Sequence, residues 1–272
     1  MAGSLTSAIR HGVLRTATMA YGLMRRGGSR RSGLRVLMYH AIGTPIEGDV
    51  SGLYNMAPAR FETQMRYMAE HYRHELVPLE RSALAGESLK IALSFDDGYR
   101  DNLSVAAPLL VELGMPFSVF VCTGPVAQRK AGFLSPEDLR ELAGLPGVTI
   151  GSHGVNHLRL TECDERRLKE ELAGSKAYLE NLLGSEIASL SYPHGAVNRN
   201  VRDAAESVGY RIGACSRFDI NQSGRDPLLL CRTDIWADDD LPTFEQKLGG
   251  DWDWYRWRSA DAEFKSANHQ QG

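Results

Sequence analysis

Four groups of polar residues have types and spacing that could carry chemistry: His40, the pair Asp96-Asp97, His153 with His157, and the turn Tyr192-Pro193-His194-Gly195. Each follows a short apolar run and so stands where a buried strand would end. Asp96 and Asp97 leave Ile91-Ala92-Leu93-Ser94-Phe95 and precede Gly98, whose missing side chain permits a tight turn. Adjacent acids there are costly unless compensated, and taken alone they suit a helix cap as well as a catalytic pair. In Ser152-His153-Gly154-Val155-Asn156-His157, two histidines four apart can share one ion if the segment between them turns. With one carboxylate they form a set that suits zinc or a related divalent ion and leaves positions open for water and substrate. If Asp97 is that carboxylate, Asp96 is free to take a proton from a water whose pKa zinc lowers to about 7. Amide hydrolysis also needs an acid for the leaving amine, and His40, after Val36-Leu37-Met38-Tyr39, is placed to supply it. On spacing alone, His40 is a buried histidine bonded to backbone.

The elements that must position these groups alternate. Short runs rich in β-branched and aromatic residues, at 35–41, 91–95, 117–122, 148–152, 188–192, 210–214 and 229–235, are separated by segments of helical period. Such alternation is the βαβ signature of an α/β protein, and about seven parallel strands suggest a closed or nearly closed barrel. The carboxyl ends of barrel strands converge on one face, where distant residues can share a site. Pro58 opens a helix whose core stripe is Phe61, Met65, Met68 and Tyr72. Ser135-Pro136-Glu137-Asp138 has the form of a helix start, and Thr161 opens a helix whose Leu168, Leu172, Leu179 and Leu183 share a face up to Gly184. Further helices are expected over 100–113 and over 198–208, the latter stopped by Gly209.

The chain has 272 residues, 43% hydrophobic and 24% charged, which suits one large folded domain and excludes a disordered or collagen-like chain. Cys122, Cys163, Cys215 and Cys231 are too widely spaced for a zinc ribbon or a disulfide framework. Seven arginines and no acid in residues 1–35 leave −10 on the rest of a chain whose formal net charge is −3. So acidic a body argues against nucleic acid as a partner. The pattern divides into a basic, amphipathic or disordered arm (1–33), the alternating body (34–236) and an acidic, aromatic tail (237–272). No apolar run in the arm reaches signal-peptide or membrane-spanning length. The expected location is cytoplasmic, with the arm either resting on anionic lipid at the inner face of the membrane or forming a disordered basic tail.

Ser94-Phe95-Asp96-Asp97-Gly98, Ser152-His153-Gly154-Val155-Asn156-His157 and Ser191-Tyr192-Pro193-His194-Gly195 together resemble the motifs of the polysaccharide deacetylase family, also called the NodB-homology domain or carbohydrate esterase family 4. The resemblance covers about residues 35–235. It implies a deformed (β/α) barrel and a metal-dependent hydrolase that removes acetyl groups from N-acetylated sugars, with zinc, cobalt or nickel as the ion. Carried over by position, Asp97, His153 and His157 would bind metal and Asp96 would be the base. Val36-Leu37-Met38-Tyr39-His40 and Phe61-Glu62-Thr63-Gln64-Met65 resemble the branch containing poly-N-acetylglucosamine deacetylases, in which the Tyr-His histidine is the general acid. Ser191 stands where the third motif usually has arginine, and Arg232 resembles an arginine of this branch that would substitute for it. The turn at Tyr192, Pro193, His194 and Gly195 would offer a backbone N–H to the oxyanion, with His194 lining the wall. Asn221 and Trp236 suit sugar contact and packing equally.

The expected partner is therefore an N-acetylated carbohydrate: a lipid-linked or nucleotide-linked amino sugar, or a glycan under assembly. A carbohydrate-binding relative without activity is the alternative, favoured by the absent third-motif arginine and opposed by the intact metal set. A non-haem iron oxygenase shares the triad type but needs neither Asp96 nor an oxyanion turn.

Overall fold

The computed structural model describes residues 32–46, 49 and 52–262, together with Thr18 and Tyr21. The seven apolar runs form β1 (Gly33–Tyr39), β2 (Leu89–Phe95), β3 (Phe117–Val121), β4 (Val148–Ser152), β5 (Ser189–Ser191), β6 (Ile212–Ala214) and β7 (Thr233–Asp234). All pair in parallel, in the order β6-β5-β4-β3-β2-β1-β7. The expected strand over 229–235 does two jobs. Leu230 exchanges backbone bonds with Gly213 and Cys215 beside β6, and Thr233 and Asp234 then pair with Leu37 and Met38 of β1. Because the chain changes neighbour midway, β7 is only two residues long, yet the segment joins both edges of the curled sheet into a deformed barrel.

Both faces of the sheet are covered, which is why the strands read as continuous apolar runs. Leu34, Val36, Ala92, Phe120, Ile212, Ala214 and Leu230 form one apolar cluster, while Leu37, Tyr39, Leu93 and Val121 belong to the larger one that packs with the helices. The helices are α1 (Pro58–His71), α2 (Ala107–Glu112, after one wide helical turn at Asn102–Ala106), α3 (Thr123–Ala127), α4 (Pro136–Ala143), α5 (Glu165–Leu183), α6 (Arg199–Val208) and α7 (Leu241–Gly249). Helix α4 begins with a reciprocal cap, Ser135 Oγ accepting from the Asp138 amide at 3.1 Å and Asp138 Oδ2 from the Ser135 amide at 3.0 Å. The helix expected from Thr161 starts later. Thr161 lies in a 3-10 turn, and Asp164 caps α5 by accepting from the Arg167 amide at 2.7 Å. An aspartate caps at least as well as a threonine, so the start three residues later is chemically sound.

Residues 237–262 pack their aromatics on the barrel. They form α7 and a 3-10 turn at Asp253–Arg258, and they bury Trp252 against Phe218 and Trp236. Arg35, on β1, makes a buried fork to Asp253 at 2.9 and 3.2 Å. Lys247 is fully buried, donating to the Asp234 carbonyl at 2.8 Å and pairing with Asp239 at 2.5 Å. Charged side chains in this composition look solvated, but here they face countercharges across the barrel's closing strand. The arm and its expected membrane contact lie outside the described residues except at two points: Trp254 Nε1 donates to Thr18 Oγ1 at 3.1 Å, and the Tyr21 ring meets Trp257 edge-on at 6.0 Å. Among the described residues no helix is long and apolar enough to cross a membrane.

Candidate active and metal-binding site

Strand register brings the chemistry together. Tyr39 pairs with Phe95, so the residues that follow, His40 and Asp96, leave neighbouring strands side by side. Val121 pairs with Ser152, and the His153 amide continues the ladder to the Val121 carbonyl at 2.8 Å. Met38 pairs with Asp234 on the other side of β1. His40, Asp96, Asp97, His153, His157 and Asp234 all line one cleft of about 910 Å³.

The chain bends sharply to aim these side chains. Four described non-glycine residues have positive φ, and three stand at this cleft: Asp97 (74°), His157 (55°) and His194 (58°). Such conformations cost on the order of 1–3 kcal/mol each and persist where the surroundings impose them. Gly98, at φ 81°, makes the tight turn expected of it. The loop between the histidines is held by Glu171, a buried acid on the leucine face of α5, which accepts from the Val155 and Asn156 amides at 2.8 and 2.9 Å. Gly154, at φ 74°, leaves room for that carboxylate, since a Cβ there would sit 3.1 Å from Glu171 Oε2.

Asp97, His153 and His157 present one donor atom each, all within 4.8 Å of one another. His153 Nε2 and His157 Nε2 lie 3.4 and 3.5 Å from Asp97 Oδ1. His153 Nδ1 bonds the Ser191 carbonyl at 2.8 Å, which places the proton on Nδ1 and turns the Nε2 lone pair toward Asp97. Asp97 Oδ1 is buried without a hydrogen-bond partner. Burial and the neighbouring His153 bring His157 down to about 4, so this imidazole is neutral and able to donate a lone pair at physiological pH. Two imidazoles, a carboxylate and an orphaned buried oxygen suit a divalent cation well, whose charge would take the place of the proton that Asp96 and Asp97 favour on His153.

Asp96 is held differently. Arg232, itself fully buried, grips both of its oxygens at 2.7 Å and donates to Ser191 Oγ at 2.8 Å. Ser191 Oγ in turn lies 3.0 Å from Asp96 Oδ2. The position where an arginine was expected is thus a small serine, and an arginine arriving from the closing strand fills the space. Burial opposes ionisation of Asp96, but the Arg232 charge, followed by that of His153, outweighs it and holds the carboxyl well below the usual range. Asp97 is likewise brought down to about 2, against burial, by its contact with His153 and the charge of His40.

A group with a depressed folded-state pKa contributes stability that is full above its unfolded value and is lost as pH falls through the folded one. The metal-free protein should therefore lose stability as pH drops below about 4, the unfolded carboxylate value. Asp96→Asn should flatten that part of the melting-temperature profile, and an unchanged slope in the variant would remove Asp96 as its source.

The remaining candidates divide. His40 Nδ1 is buried and unpartnered, and its ring packs on Tyr54 at 4.5 Å. The alternative of a histidine satisfied by backbone is not what the structure shows. The loop after β1 is tied down by Asp101, which accepts from the Ile42 and Thr44 amides at 2.8 Å each, and by Asn102, which donates to the His40 carbonyl at 3.0 Å. Tyr192 is buried in the core. Its hydroxyl donates to the Leu228 carbonyl and its amide to the Ala214 carbonyl, both at 2.9 Å, so neither group is available to an oxyanion. Pro193 has no N–H, and the Gly195 amide turns back to the Tyr192 carbonyl at 2.8 Å. Of this turn, the His194 amide is the one with no such backbone partner among the described residues. Asn221 and Trp236 resolve as packing. Asn221 clamps the Leu34 and Cys231 backbones, and Trp236 lies in the Trp252 cluster with Nε1 on Asp234 Oδ2 at 2.9 Å.

Asp234 was not anticipated. It is buried, with Oδ1 unpartnered, and lies in the same cleft as His40, whose charge acts on it. Its position after a predicted strand's apolar residues was a usable signal, hidden because that strand was taken to run on through Ile235. Glu171 also left a trace, as an acid inside the stripe of Leu168 and Leu172.

Fold and site together define a parallel α/β-barrel protein with an Asp-His-His triad beside an arginine-held carboxylate. Residues 85–213 match the polysaccharide deacetylase family. It is 31% identical over 186 residues to the Bacillus subtilis protein YxkH, named for the polysaccharide deacetylases, covering 66% of this chain and 63% of that protein. It is 21% identical over 175 residues to the poly-beta-1,6-N-acetyl-D-glucosamine N-deacetylase of Staphylococcus aureus, covering 59% and 60% of the two. The chain thus spans less than two thirds of the length of either relative. The Streptococcus pyogenes deacetylase PplD has the same fold, with a TM-score of 0.68 at 24% identity, covering 80% of this chain and 99% of that one.

Proposed function

We propose that this protein is a metal-dependent hydrolase that removes N-acetyl groups from an amino sugar in a polysaccharide, an oligosaccharide or a lipid-linked glycan. The observation that carries the proposal is the Asp97, His153 and His157 donor set standing beside an ionised, arginine-held Asp96 in one cleft. These three residues would hold the ion, zinc being the first choice. A divalent ion bound there supplies positive charge that acidifies a water and polarises the acetamido carbonyl.

The chain's own groups divide the remaining work. Asp96, kept ionised by Arg232, accepts the proton of the attacking water. The His194 amide donates to the oxygen that becomes negative as the carbonyl carbon turns tetrahedral. His40 gives a proton to the departing nitrogen, so that acetate and a free amine leave. We assign Asp234 as the positioning residue for His40, because both line the cleft with Asp234 Oδ1 and His40 Nδ1 unpartnered; a bond between these two atoms would keep the proton on Nδ1 and leave Nε2 toward the substrate.

Acetate release from a panel of N-acetylated oligosaccharides and lipid-linked amino sugars tests the proposal. Chelation should lower release at least about 10²-fold, and zinc, cobalt or nickel should restore it. Release that survives full demetallation would overturn metal dependence. Stoichiometric metal binding with no release from any substrate would favour a carbohydrate-binding protein instead.

A further inference from the structure

All four cysteines are free thiols, and two of them face each other where the barrel closes. Ala214 and Leu230 form a parallel bridge, with the Cys215 amide donating to the Leu230 carbonyl at 2.8 Å, so Cys215 and Cys231 follow it side by side on the opposite face of the sheet. That pairing makes the two side chains neighbours on one face, and each thiol acts on the ionisation of the other. Paired strands lie about 4.7–4.9 Å apart, within the Cα separation of about 4.4–6.8 Å that a disulfide spans. The other two cysteines donate to backbone carbonyls instead, Cys122 to His153 and Cys163 to Arg159.

Cys215 lines a small cavity of about 160 Å³ next to His194 and Ser216. The neighbouring Cys231 thiol outweighs burial and, with the charges of Arg225 and Arg232, draws Cys215 toward the thiolate, the reactive form. Arg217 Nη1 lies 3.9 Å from Cys231 Sγ. The pair also holds Arg232 from two sides. Cys231 precedes it in the chain, and the Cys215 carbonyl accepts from Arg232 Nε at 2.9 Å.

We propose that Cys215 and Cys231 form a hydroperoxide-sensitive dithiol site, at which a disulfide across the barrel closure re-aims Arg232 and lowers the activity of the catalytic cleft. The Cys215 thiolate attacks a peroxide oxygen, the O–O bond breaks, and hydroxide leaves, giving a sulfenic acid. Cys231 sulfur then displaces the sulfenic oxygen, which leaves as water with the thiol proton. The peroxide is reduced, both thiols are oxidised, and a small dithiol reverses the change. Because the common Cα separation across a disulfide, about 5.5–6 Å, exceeds the strand spacing by about 1 Å, the bond spreads the two backbones. A shift of the Arg232 fork on that scale misplaces the carboxylate it holds, and a misplacement of about 1 Å can cost up to 10²-fold in rate.

The effect on activity rests on the deacetylase proposal, whereas the thiol chemistry does not. Full-length, metal-loaded protein treated with hydrogen peroxide should yield a Cys215–Cys231 linked peptide on non-reducing mass mapping. Acetate release should fall about tenfold or more and recover with dithiothreitol. Cys215→Ala should show neither the link nor the loss. Oxidation of Cys163 with Cys215 and Cys231 still reduced would overturn the site, and a link formed with unchanged acetate release would overturn its action on Arg232. If the untreated enzyme releases no acetate from any sugar, the deacetylase proposal fails separately. Coupling to Arg232 is then read from acid unfolding, which a loosened Arg232–Asp96 pair moves to higher pH and an unaffected pair leaves in place.

Discussion

Replacing Asp96 with asparagine should lower kcat for acetate release by about 10²- to 10⁴-fold while leaving the metal content of the protein unchanged. The amide keeps the size of the carboxylate and one acceptor for Arg232, but it cannot take a proton. Metal is retained because the donor atoms belong to Asp97, His153 and His157. Asp97→Asn is the useful contrast, since it weakens a ligand and should reduce metal occupancy together with activity. The Asp96 variant also leaves the buried Arg232 with a neutral partner, which costs about 1–3 kcal/mol, so activity must be compared well below the lowered melting temperature. Unaltered turnover in folded, metal-loaded Asp96→Asn protein would remove Asp96 as the base.

The second large effect is expected at Arg232, which is fully buried with both of its terminal nitrogens on Asp96. Arg232→Met leaves a buried carboxylate without its cation, and breaking such a pair costs about 3–5 kcal/mol. Burial then acts on Asp96 with less opposition, and its pKa rises. A base with a raised pKa is protonated at neutral pH, so the acid limb of the kcat/KM profile should move upward, with activity recovering as pH increases. Arg232→Lys is the second variant, for use if the methionine protein does not fold. It restores charge without the two-pronged fork and should recover stability better than rate. An acid limb that stays in place in both variants would show that Arg232 does not set the ionisation of Asp96.

Much of the site is local in the sequence and was therefore legible there. Asp96 and Asp97 follow a strand run and precede a glycine, and His153 and His157 leave another run with a short loop between them. Backbone chemistry alone places such residues at strand ends, and all seven runs that predict strands form them. The boundary at Thr161 was legible only in part, because Thr161 and Asp164 can both cap a helix and local chemistry does not choose between them. The acidic and aromatic stretch after 236 misled for a different reason. Asp239, Lys247 and Asp253 carry the composition of a solvated surface, yet all three are buried against charged partners.

What the sequence determined by itself, then, was the parallel α/β architecture, the face that bears the chemistry, and the two short motifs with their metal-type donors. Only the tertiary structure decided which distant side chains complete that face. Arg232 reaches Asp96 across 136 positions of chain, and Asp234 enters the cleft of His40 because β7 pairs with β1. The Tyr192 amide is taken by the Ala214 carbonyl of the neighbouring strand, which is why the proposal gives the oxyanion to the His194 amide instead. The physical reason is the same in each case. A short motif sets the direction of its own side chains, whereas the countercharge or hydrogen-bond partner of a buried group depends on which strands become neighbours when the barrel closes.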